Sequence, residues 1–60
     1  MSNTIEYRGY VGSVEFSEED GLFYGRLLGI SSLVLFDGPD YERLVQDFHE
    51  AVDHYIDTCV

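Results

Sequence analysis

The residues of this 60-residue chain best suited to chemistry are two histidines and a crowd of carboxylates. His49 and His54 bracket Glu50 and Asp53, a composition found in zinc-binding helices. The spacing is wrong for that purpose. Two helical histidines share a face when they stand four apart, whereas a separation of five, at roughly 100° per residue, turns these imidazoles about 140° from each other. His49 with Asp53, or Glu50 with His54, makes an adequate pair, but two ligands do not close a zinc site and no third is evident. The expectation is a solvated helix face and no metal.

The other acids fall into two groups. Glu15, Glu18, Glu19 and Asp20 cluster at a chain reversal, while Asp47, Glu50, Asp53 and Asp57 lie along one segment. Carboxylates run acid-base chemistry or hold magnesium where they converge, partly buried, from separate elements, and no such convergence is legible here. They are expected as acidic surface. Glu15, Glu18, Glu19 and Asp20 are the candidate landing area for a basic protein, because complementary charge speeds and selects such encounters. Asp53 and Asp57, like charges four apart near the negative end of a helix, point the same way, to an external cation or partner. Cys59 would sit at that electronegative end, which raises a thiol pKa, so it is expected as a small apolar residue and not a nucleophile. Ser13, Ser17, Ser31 and Ser32 have no elbow motif around them, and Gly25-Arg26-Leu27-Leu28-Gly29 lacks the spacing of a phosphate loop. No catalytic residue and no cofactor is assigned, and the chain is not expected to be an enzyme.

Charge narrows the partners. Three arginines (Arg8, Arg26, Arg43) face twelve acids, for a formal net charge of −9. A phosphate backbone would be repelled, which excludes direct nucleic-acid binding and favours a basic protein. So short a chain is one domain, and it buries only about 60% of the surface its unfolded form exposes, so a second copy or a partner is expected to complete it. Five Tyr and four Phe within a 45% hydrophobic composition are too much apolar surface for disorder. The lone cysteine forms no internal disulfide, which suits a reducing, cytoplasmic setting. The start of the chain lacks a signal-peptide pattern, and Leu33 to Phe36 is the longest apolar run, so no membrane span is expected.

The elements that must position these residues follow from periodicity. Alternating aromatic and β-branched residues predict a long first strand over 5–16, and Asp20-Gly21 predicts a hairpin turn. A second strand follows over 22–28 and a third over 33–37. From Tyr41 the period changes: Leu44, Val45, Phe48, Val52, Tyr55, Ile56 and Cys59 continue the stripe of an amphipathic helix over about 40–58, begun by Asp40 as cap after Gly38-Pro39. The fold class is α+β, a three-stranded antiparallel meander with one helix packed on one face (β-β-β-α). Tyr10, Gly12, Val14, Phe16, Phe23, Gly25, Leu27, Val34 and Phe36 are expected beneath the helix, with Phe48 over Gly12 and Gly25. The opposite parity, Tyr7, Val11, Tyr24, Leu28, Leu33 and Leu35, is also apolar and has nothing in the chain to cover it. A patch of that kind marks an oligomer or partner interface.

The blocks Tyr7-Arg8-Gly9-Tyr10-Val11-Gly12-Ser13-Val14-Glu15-Phe16-Ser17-Glu18-Glu19-Asp20-Gly21, Phe23-Tyr24-Gly25-Arg26-Leu27-Leu28-Gly29-Ile30, Phe36-Asp37-Gly38 and Phe48-His49-Glu50-Ala51-Val52-Asp53 closely resemble the N-terminal domain of HicB-family antitoxins. The resemblance runs from about Tyr7 to Cys59. It implies a partial RNase H-like fold without the catalytic carboxylates of RNase H enzymes, and a role in covering HicA, a small basic RNA-cleaving toxin. Family members generally continue past this helix into a further strand and a ribbon-helix-helix or helix-turn-helix segment. No DNA-binding domain is read in these 60 residues, so DNA binding is not carried over. The alternative expectation is a self-associating, structural HicB-like domain with no toxin partner.

Overall fold

A computed structural model describes residues 3–58. It is an α+β fold: β1 (Asn3–Tyr7), β2 (Tyr10–Ser17), β3 (Leu22–Leu28) and β4 (Leu35–Gly38) form one antiparallel sheet in chain order, followed by α1 (Tyr41–Thr58). There are thus four strands where three were expected.

The difference lies at Arg8-Gly9. The long first strand breaks there into a hairpin, with Tyr7 paired to Tyr10 across a two-residue loop. Both loop residues hold positive φ, 53° for Arg8 and 83° for Gly9, the backbone that lets so tight a loop follow the twist of its strands. Glycine adopts it without strain, and Arg8 is the only non-glycine residue at positive φ among those described. The fold-back also changes parity. In a continuous strand Tyr7 and Tyr10 would point to opposite faces; as cross-strand partners they share one.

The second turn forms where Asp20-Gly21 predicted it. Ser17 Oγ accepts from the Asp20 amide and donates to the Asp20 carboxylate, both at 3.3 Å. The Gly21 amide reaches the Ser17 carbonyl at 2.8 Å. The expected third strand begins two residues late, at Leu35, since Leu33 and Val34 belong to the connection.

Asp40 starts the helix as expected. Its carboxylate accepts the Arg43 amide at 2.8 Å and its carbonyl the Leu44 amide at 3.0 Å, so two donors of the first turn are satisfied. Leu44, Phe48 and Val52, spaced one turn apart, are completely buried against Val14, Leu27 and Phe36. The Phe48 ring lies over Gly12, where a Cβ would come within 2.7 Å of it, and meets the Phe36 ring at 5.0 Å between centroids. Gly25 needs its bare Cα for a different reason. A Cβ there would overlap the Ser13 carbonyl of the neighbouring strand, with the Phe36 ring, not Phe48, above it.

Phe16 departs from the expected core. It shares the helix-side parity yet is 51% exposed, because the helix does not extend over the end of the sheet beside the second turn. Half-buried Phe23, packed against the core, links Phe16 to exposed Tyr41, with ring centroids 4.9 Å (Phe16 to Phe23) and 6.3 Å (Phe23 to Tyr41) apart. Cys59 lies outside the described residues. Among those described, no helix is long and apolar enough to cross a membrane.

Candidate partner-binding surface

The acidic turn and the sheet face away from the helix both present exposed side chains to another protein. Glu18, Glu19 and Asp20 are all exposed at the tip between β2 and β3, where Ser17 bonds to Asp20 brace the turn. Glu15 stands two residues earlier on the sheet face away from the helix, opposite Tyr24, whose neighbour on β4 is Asp37. The structure therefore brings Glu15 and the turn acids to the same end of the β2–β3 hairpin, beside exposed Phe16.

The outer sheet face is less uniform than parity suggested. Val11 and Leu28 are cross-strand partners there, half-buried. Tyr24 and Leu35 share the face but are separated from Val11 and Leu28 by Ser13 and Arg26, and the Arg26 amide donates to Ser13 Oγ at 3.1 Å. The greatest apolar exposure gathers at the β4 side, with Leu33 at 74% and Leu35 at 65%.

Tyr7 is not on that face. Its ring stacks on His49 of the helix at 3.9 Å between centroids and 17° between planes, and its hydroxyl approaches the Asp53 carboxylate at 3.5 Å. The parity flip at Arg8-Gly9 is the physical reason. The same hairpin delivers Arg8 to Asp53 at 2.8 Å, the single ion pair among the described residues. The cation that Asp53 was expected to find in a partner is supplied by this chain. Hydrogen bonding to Asp53 is the main cause that raises the Arg8 pKa, partly opposed by desolvation. Both side chains are about half exposed, so this pair orients the hairpin more than it stabilises it.

His49 is thus absorbed by packing, while His54 is exposed on the same helix. Among the described residues no group of three or more His, Cys, Asp or Glu side chains converges as a metal site would require.

Two features had no counterpart in the sequence. One is the clasp of Tyr7 and Arg8 on His49 and Asp53, for which Tyr-Arg-Gly-Tyr, an X-Gly loop between paired aromatics, is the available signal. The other is a groove of about 510 Å³ between the β3–β4 connection and the helix, where Val34 faces Ala51 and Tyr55 below Asp47 and Glu50. It depends on how far the helix stands from the last strand, which periodicity does not encode. No family model, curated protein or solved structure matches the chain.

Proposed function

We propose that this domain is a protein-binding module of the HicB antitoxin type, built on a partial RNase H-like frame, that masks a small basic RNA-cleaving toxin of the HicA type in the cytoplasm. It acts by occlusion, with no catalytic group and no cofactor of its own. The observation that carries this is the acidic tip, where Glu18, Glu19 and Asp20 are exposed on a turn braced by Ser17, with Glu15 and exposed apolar side chains beside it. Exposed carboxylates next to uncovered apolar surface suit a cationic protein, since charge steers the encounter and apolar burial slows escape. Val11, Tyr24, Leu28, Leu33 and Leu35 supply that apolar component; Tyr7 does not, being held against the helix.

A second reading is self-association through the outer face, which the exposure of Leu33 and Leu35 favours. Salt separates the two. A complex with a basic protein should form more slowly as salt rises, whereas two chains of −9 charge should associate better once their repulsion is screened. Association rates with the product of the adjacent gene, or with a HicA-like protein, are measured from about 50 to 500 mM salt, a range over which the screening length shrinks severalfold. A steep fall, reproduced at fixed salt by Glu18→Lys with Glu19→Lys, supports the antitoxin role. A rate indifferent to both takes the tip out of the site, and no binding to any such protein leaves self-association.

A further inference from the structure

The two edges of the sheet are unlike. In β1 the ladder closes at Tyr7 and Tyr10, so by the alternation of antiparallel bonds Thr4 and Glu6 direct their backbone groups outward, on an edge whose exposed side chains are polar or charged. That is an edge defended against pairing. In β4 the Leu27 amide donates to the Val34 carbonyl at 3.0 Å, so Leu35 and Asp37 are the residues whose N–H and C=O point away from β3. The Asp37 amide is taken by the Asp47 carboxylate at 3.0 Å. No such bond meets Leu35 among the described residues, and Leu33 and Leu35 are the most exposed large apolar side chains there.

Beside this open edge lies the groove floored by Val34, Ala51 and Tyr55, with Asp47 and Glu50 on its helix side. A smaller hollow of about 200 Å³ shares Leu35 and Asp47 with it and adds Tyr24 and Asp37. Arg26, the cross-strand neighbour of Leu35, belongs to the face away from the helix. The edge thus combines free backbone groups, apolar floors and a rim of three carboxylates.

We propose that β4 receives an extended, arginine- or lysine-bearing segment of the basic partner, which joins the sheet as a fifth strand. This rests on the basic-partner function proposed above and names the surface that function uses in addition to the acidic tip. The Leu35 N–H and C=O supply the ladder bonds. Alternate side chains of the incoming strand enter the groove, where a long basic residue lays its aliphatic stem over Ala51 and Tyr55 and sets its charge by Asp47 and Glu50. The intervening side chains are apolar and cover Leu35 and Tyr24. A second copy of this chain is the wrong occupant, because pairing β4 with β4 would bring Asp37, Asp47 and Glu50 of both copies together.

The test uses two blocked hexapeptides, Arg-Val-Arg-Val-Arg-Val and Glu-Val-Glu-Val-Glu-Val, titrated into the 60-residue chain while backbone amide resonances and amide hydrogen exchange are followed. The arginine peptide should shift amides in 32–37 and slow exchange of the Leu35 amide at least tenfold at saturation, and the glutamate peptide should do neither. Leu35→Pro removes the outward N–H without removing a bond to β3, so its affinity should drop at least tenfold, while Leu35→Ala retains most of it. Should the proline variant fail to fold, exchange at Leu35 in the parent chain decides. Shifts confined to the 18–20 turn, equal response to both peptides, or an unprotected Leu35 amide under saturating arginine peptide overturn the proposal. So do shifts in 32–37 on concentrating the chain alone, which would give the edge to a second copy. A HicA-like protein that binds while Leu35 exchanges freely removes the edge and leaves the antitoxin function. A peptide on the edge with no toxin-like protein binding does the reverse.

Discussion

Phe48→Ala puts the core to its most direct test. Phe48 is completely buried, one turn from Leu44 and from Val52, with its ring against Gly12 and 5.0 Å from that of Phe36. Truncating a buried phenylalanine costs about 3–5 kcal/mol, the higher figure where the site cannot collapse. Collapse is poor here, since Gly12 has no side chain to advance and Phe36 is already packed over both sheet glycines. A domain of 60 residues at roughly 0.05–0.15 kcal/mol per residue has about 3–9 kcal/mol in total. The variant should therefore be unfolded, or close to it, at 25 °C. Thermal and urea unfolding followed by circular dichroism provide the assay. Phe48→Leu, which keeps much of the volume, gives a measurable intermediate, with a loss of about 1–2 kcal/mol. At about 4–8 °C per kcal/mol in a domain of this size, that is a fall of roughly 4–16 °C in Tm. A Phe48→Ala protein melting within about 4 °C of its parent would show that the helix does not rest on Gly12 through this ring.

Gly25→Ala should abolish folding although it adds one methyl, because the obstacle is the Ser13 carbonyl of the adjacent backbone; a native-like spectrum for the purified variant would contradict that close approach. Asp40→Ala should cost about 1 kcal/mol by leaving the Arg43 amide without its partner, and Asp40→Asn should restore most of it in the same melts. Light scattering on the isolated chain should show a mass that rises with salt if the outer face self-associates, and Tyr24→Glu or Leu33→Glu should hold the protein at monomer mass throughout.

The helix was almost wholly legible, because Asp40 after Gly38-Pro39 and the spacing of Leu44, Phe48 and Val52 are local signals that tertiary packing reinforced. Asp20-Gly21 was legible for the same reason. Arg8-Gly9 was not: alternation over 5–16 continues in appearance through a two-residue reversal, and arginine at positive φ is an uncommon choice that its bond to Asp53 helps to hold. That one omission moved Tyr7 to the wrong face and hid the partner that Asp53 finds within the chain. Phe16 failed differently. Parity placed it on the correct side of the sheet, but whether a residue on that side is covered depends on where the helix begins and crosses, which no periodicity states. The acids at the turn were visible as a cluster, while the groove beside β4 arises only from the distance between two elements.

Because the strands pair in the order they occur along the chain, the sheet assembles from neighbours, and such topologies fold quickly. The contacts of the helix are the exception: Phe48 lies over Gly12, Tyr10 meets Tyr55 edge-on, and Tyr7 and Arg8 reach Asp53. The bonds from Tyr7 and Arg8 to Asp53 span 46 and 45 residues, nearly the whole chain, and so carry one of the largest loop-closure costs in the fold. They tie the leading hairpin to the last turns of the helix, with Tyr10 against Tyr55 beside them. Cleavage at either end of the molecule by a protease should therefore loosen the other.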